Sequence, residues 1–154
     1  FGTDAGTTKS NEFSHSSGKF ASAGDAQYGR CVLRNTTTNT TPTELFIDGS
    51  SERFTVAEKE CYFVELKIVG ARADLTQTAL FNQFNCLVSR ATGGSVTVIN
   101  GVSSATADQA LGSPLWTIDI DADTSNQALR IKVTGASGIT IRWVATLNYT
   151  KVSH

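Results

Sequence analysis

The stretch ITIRWVATLNY at positions 139–149 constrains the fold of this chain more than any other. In an extended chain, successive side chains point to opposite sides. Ile139, Ile141, Trp143, Ala145, Leu147 and Tyr149 then share one face, and Thr140, Arg142, Thr146 and Asn148 share the other, with Val144 the only apolar residue among them. Wound as a helix, Ile139, Ile141 and Trp143 would splay around the axis instead of forming a stripe. The alternation predicts one long, half-buried β-strand, with the remaining segments as its partners.

Those segments carry strand signals separated by turn chemistry. GRCVLRN at 29–35 reads as a strand that ends in the polar run 36–41 and Pro42. ELFI at 44–47 is closed by Asp48-Gly49-Ser50-Ser51, a hairpin signal, with 53–56 as the return strand. CYFVELKIVG at 61–70 puts Tyr62, Val64, Leu66 and Ile68 on one face. Its other face mixes Glu65 and Lys67 with Phe63 and Val69. That is more apolar surface than a solvent-facing strand needs, so Phe63 and Val69 are candidate subunit-interface residues.

ALFNQFNCLVSR at 79–90 fits two patterns. Leu80, Phe84, Leu87 and Val88 would make a helical stripe, whereas Leu80, Phe84, Cys86 and Val88 would share a strand face. The period-two match and the following Gly93-Gly94 favour the strand. Residues 95–99 form a short strand that breaks at Asn100-Gly101, and 101–114 is a small-residue loop. LWTIDIDA at 115–122 buries Trp116, Ile118 and Ile120, and ALRIKVT at 128–134 buries Leu129, Ile131 and Val133. Eight or nine strands, no helix and closely spaced turns predict an all-β, antiparallel two-sheet β-sandwich of jelly-roll type.

With 154 residues, the chain can bury a core large enough to fold without staples. Residues 1–27 differ in texture, being rich in Gly, Ser and Thr without amphipathic period, so the chain divides into an arm (1–27) and a sandwich (28–154). The arm reads as a flexible linker or as a segment that orders only against something else. Phe at position 1 suggests a fragment or processed chain. No run is long and apolar enough to span a membrane, and no signal peptide is visible. A net charge of −1 with no basic run argues against a nucleic-acid partner held through phosphates.

Chemistry is sparse. His15 and His154 lie in the arm and at the last residue, away from any evident constellation, and no nucleophile, metal-protease or phosphate-loop motif occurs. Cys31, Cys61 and Cys86 lack metal spacing and read as reduced cysteines packed within strands, which favours folding in a reducing cytosol. Asn35, Asn39 and Asn148 head glycosylation sequons of the kind a Thr-rich chain produces by chance. The one carboxylate cluster is Asp119, Asp121 and Asp123. On a strand these share a face, roughly 7 Å apart between alternate residues. They are the candidate metal ligands, with a solvated face that discourages edge pairing as the competing reading. No cofactor is expected. Trp116 and Trp143 lie in the inward register and read as core, not as sugar platforms.

The segments GDAQYGRCVLRNTT, PTELFIDGSS with RFTV, WTIDIDADTSNQALRIKVTG and ITIRWVATLNYTKVS resemble, in order and spacing, a β-sandwich domain common at the C-terminal ends of bacteriophage tail-fibre and related virion surface proteins. The resemblance covers residues 24–153, and the preceding SHSSGKFASAG looks like the end of Ser-Gly-rich trimeric repeats. It departs around 75–90, where ADLTQTALFNQFN is more apolar than the family's charged hairpin. The resemblance implies a homotrimeric, non-enzymatic domain of the virion that binds a host-surface glycan or protein, or that caps and registers a fibre. Two other expectations stand beside it. One is a capsid cement or head-decoration protein whose arm docks on neighbouring shell subunits. The other is a glycan depolymerase using Asp119, Asp121 or Glu65.

Overall fold

The computed structural model describes residues 2–101, 108–109 and 116–154. The strands are β1 (Phe13–His15), β2 (Ala26–Thr37), β3 (Thr43–Glu44), β4 (Phe54–Thr55), β5 (Glu60–Arg72), β6 (Thr78–Arg90), β7 (Val96–Ile99), β8 (Asp108–Gln109), β9 (Thr117–Asp123), β10 (Ala128–Thr134) and β11 (Ile141–Ser153). They form a seven-stranded sheet in the order β1-β2-β11-β5-β6-β7, with β8 paired to β6, and a four-stranded sheet in which β10 lies between β9 on one side and β3 and β4 on the other. All the strand pairs are antiparallel. The chain is thus a β-sandwich, with eleven strands among the described residues where eight or nine are expected.

The strand foreseen at 139–149 is the centre of the large sheet, pairing along its length with β2 and β5. Its alternation holds: Ile141, Trp143, Ala145, Leu147 and Tyr149 are all buried, while Arg142 and Val144 face outward. Trp143 and Trp116 meet edge to face at 5.4 Å between ring centroids, and the Trp143 indole N–H donates to Thr37 Oγ1 at 2.9 Å. Both tryptophans are core residues. Two glycines make room for the largest rings on β11. Gly70 lies directly across from Trp143, where a Cβ would stand 2.5 Å from Trp143 Cζ3, and Gly29 does the same for Tyr149. Inward residues of both sheets join one apolar core.

Three features differ from the sequence reading. First, the Asp48 turn does not close a hairpin. Asp48 Oδ1 accepts the N–H groups of Ser50, Ser51 and Glu52 at 2.8–2.9 Å, turning the chain within itself. β3 and β4 then pair with β10 in succession and not with each other. Second, β6 carries a bulge. Leu66 pairs with Phe84 but Ile68 pairs with Phe81, so residues 82 and 83 oppose Lys67 alone. One extra residue reverses the inward parity. Ala79 and Phe81 point into the core ahead of it and Cys86 and Val88 beyond it, while Leu80 is turned out. The expected common face of Leu80 with Cys86 and Val88 is therefore broken. Third, β2 begins at Ala26, inside the segment read as arm.

The rest of that segment orders against its own sandwich through polar contacts. The Gln27 side-chain amide clamps Gly6, accepting its N–H at 3.0 Å and donating to its carbonyl at 2.9 Å. The Glu12 carboxylate accepts the Tyr149 hydroxyl and the Lys9 N–H. Lys9 is buried, with Nζ 4.4 Å above the Phe54 ring, and burial pushes its pKa down. Asp25 accepts the N–H groups of Phe20, Ala21 and Ser22 at 2.6–2.9 Å, and the Ala21 and Ser22 amides hold its carboxyl below the ordinary value. The loop expected at 101–114 lies outside the described residues except for Gly101 and β8.

Candidate interaction surface

The two subunit-interface candidates stand on the outer face of the large sheet, Phe63 44% and Val69 50% exposed. Register gathers other apolar residues around each. Val69 on β5 lies between Val144 on β11 and Leu80 on β6. Phe63 lies beside Leu87 on β6, which in turn faces Ile99 on β7, and all three are exposed. Phe63 also pairs with Thr150, whose other neighbour is the exposed Tyr28 on β2. Two apolar rows therefore cross the face, separated by a polar row of Arg30, Asn148, Glu65 and Asn85.

At the bulge the first row is hollowed into a shallow groove of about 370 Å³ lined by Lys67, Val69, Leu80, Val144 and Thr146. Sequence reasoning singles out Val69 as an interface candidate and marks Val144 as the one apolar outward residue of its strand, but it misses Leu80, because the extra residue in β6 is invisible to a period-two count. Covering such a half-exposed aliphatic side chain is worth on the order of 1 kcal/mol.

The carboxylates read as candidate metal ligands lie on the opposite outer face, that of the small sheet. Asp121 receives a two-pronged pair from Arg130 at 2.7 and 2.8 Å, and Lys132 reaches Asp119 at 2.5 Å and Asp121 at 3.1 Å. The Arg130 hydrogen bonds hold Asp121 below the ordinary carboxylate value. Asp123 is buried and turned onto the tight turn that follows β9, accepting the N–H groups of Ser125 and Asn126 at 3.1 Å. The Asn126 side-chain amide is the chief cause of the lowered pKa of Asp123. Arg53 links Glu44 to Asp123 at 3.0 and 3.5 Å. Each of the three carboxylates is engaged through at least one oxygen by a cation or a turn amide. Among the described residues no cluster of three His, Cys, Asp or Glu side chains is placed to hold a metal ion.

Glu65, the third carboxylate considered for glycan cleavage, is on the outer face of the large sheet, so it and Asp119 or Asp121 cannot flank one bond. The three thiols are free. Burial pushes Cys31 up to about 12 and Cys86 up to about 11, the opposite of an activated nucleophile. His15 is exposed in β1, pairing with Tyr28, and His154 is exposed at the chain end.

Comparison with protein-family models, curated proteins and solved structures finds no match to this chain.

Proposed function

We propose that the chain is a virion structural domain, the terminal module of a homotrimeric tail fibre that attaches to a host-surface glycan or protein. The observation that carries the assembly part is the pair of apolar rows on the outer face of the large sheet, centred on Phe63 and Val69. A buried interface is enriched in such side chains and gains by covering them. The threefold state and the place on a fibre draw on the resemblance of the segments from GDAQ to ITIRWVATLNY to tail-fibre domains. The head-decoration alternative draws on an arm free to thread along other subunits, and it loses that support because Lys9, Glu12 and Gly6 bind the arm to its own sandwich.

The test is the mass of the purified chain by light scattering, together with adherence of the labelled chain to a panel of bacterial surfaces. The expected mass is three times that of the 16.4 kDa chain, with adherence to at least one surface. A monomer overturns the assembly reading, and a trimer that adheres to nothing overturns attachment.

A further inference from the structure

Beside the apolar rows, the same outer face carries a second groove, of about 320 Å³, lined by Arg34, Asn35, Thr36, Asp48, Gly49 and Arg142. Arg34 on β2 lies directly across from Val144, and Arg142 sits two residues earlier on β11. The two arginines are therefore diagonal neighbours on one face, roughly 7–8 Å apart at Cα.

Their surroundings differ from those of four of the other five arginines, and the fifth, Arg30, lies over the Phe13 ring. Arg53, Arg72, Arg90 and Arg130 each face a carboxylate. Arg142 has no ion-pair partner among the described residues. Arg34 is held in place by carbonyls instead, donating to Asp48 O at 2.7 Å and reaching Ile47 O at 3.5 Å. Gly49, at φ +84°, permits this approach, since a Cβ there would stand 3.0 Å from Arg34 Nε. The one carboxylate bordering the groove, Asp48, is turned onto the amides and hydroxyls of Ser50 and Ser51 and onto the Glu52 amide. Two guanidinium groups thus share a concave site in which neither is neutralised by a carboxylate.

We infer that this groove binds a carboxylate-bearing sugar unit of a surface glycan through Arg34 and Arg142. A guanidinium presents paired N–H groups that match a carboxylate in a fork, which an ammonium cannot do. The Thr36 hydroxyl on the groove wall offers a partner for a sugar hydroxyl, which a bare oxyanion would leave unused. The anion site stands on the groove's geometry; a glycan as its source rests on the attachment reading.

The test is calorimetric titration of the full chain with four probes: the methyl glycoside of N-acetylneuraminic acid, glucuronate, neutral methyl glucoside and inorganic phosphate. At least one acidic sugar binds, and the neutral sugar and phosphate do not. Arg142→Gln weakens that binding about tenfold or more, the scale of one charge-assisted hydrogen bond. Lys59→Gln, the same charge change in the turn just before β5, leaves it unaltered. A thermal melt of Arg142→Gln matching that of the parent chain establishes that the variant is folded. Phosphate bound as tightly as the acidic sugars, a neutral sugar bound equally, no binding at all, or indifference to Arg142→Gln each overturns the inference. Adherence to cells without acidic-sugar binding removes the groove and leaves attachment standing. Acidic-sugar binding by a chain that adheres to no cell does the reverse.

Discussion

The two outer faces of this sandwich are built on the same pleat and filled in opposite ways. On the small sheet, outward positions of β9 and β10 face each other as opposite charges: Asp121 across from Arg130, and Asp119 across from Lys132. On the large sheet, equivalent cross-strand positions hold Val69 beside Val144 and Leu80, and Phe63 beside Leu87. A ladder of half-exposed ion pairs is complete in water and adds little stability, about 0–1 kcal/mol per pair. An apolar row gains only when something covers it. The contrast teaches that a strand's outward residues carry separable information. One face closes its own charges, while the other leaves apolar side chains exposed and, at its Arg34–Arg142 margin, two guanidinium groups without a carboxylate partner.

The largest expected effect comes from making the large-sheet face resemble the small one. Val69→Asp with Val144→Asp should reduce the mass in solution from the proposed three chains to one, while Asp121→Asn on the small sheet leaves the mass unaltered. Light scattering reads both, and an equal response of the two variants would end the contrast.

Beneath both faces lies one core, so Trp143→Ala should destabilise the whole domain by about 3–5 kcal/mol in urea unfolding. A loss under about 1 kcal/mol would mean that Trp143 and Trp116 do not join the sheets as their 5.4 Å contact implies.

The smallest effect is the acid sensitivity of the carboxylates on the small sheet. Asp121 and Asp123 have folded-state pKa values below their unfolded ones, through Arg130 and Asn126 respectively. Their contribution is full above the unfolded value near pH ~4 and is lost as pH falls through the lower folded values. Below about pH 4, hydrogen exchange in β9 and β10 should therefore quicken more in the parent chain than in Asp121→Asn, which lacks the Arg130-paired carboxylate. An equal acid response of the two chains would mean that the Asp121–Arg130 pair contributes nothing to local stability.

The sequence by itself determined the long strands and their buried faces. β5, β10 and β11 are legible because inward and outward residues alternate locally, and Phe63 and Val69 stand out as apolar residues on an outward face. Tertiary structure alone decided the rest. β3 and β4 share β10 because the Asp48 carboxylate satisfies its own turn, and only the pairing shows which distant strand receives the edges. Leu80 joins the apolar row because a bulge reverses parity in β6, a change written in register and not in composition. The Gly- and Ser-rich arm folds because Gln27, Tyr149 and Phe54 receive Gly6, Glu12 and Lys9, three contacts between residues far apart in the chain. Arg34 and Arg142 meet only across the β2–β11 pairing. Periodicity is a property of neighbouring residues, whereas register, bulges and cross-chain hydrogen bonds exist only once distant segments are brought together.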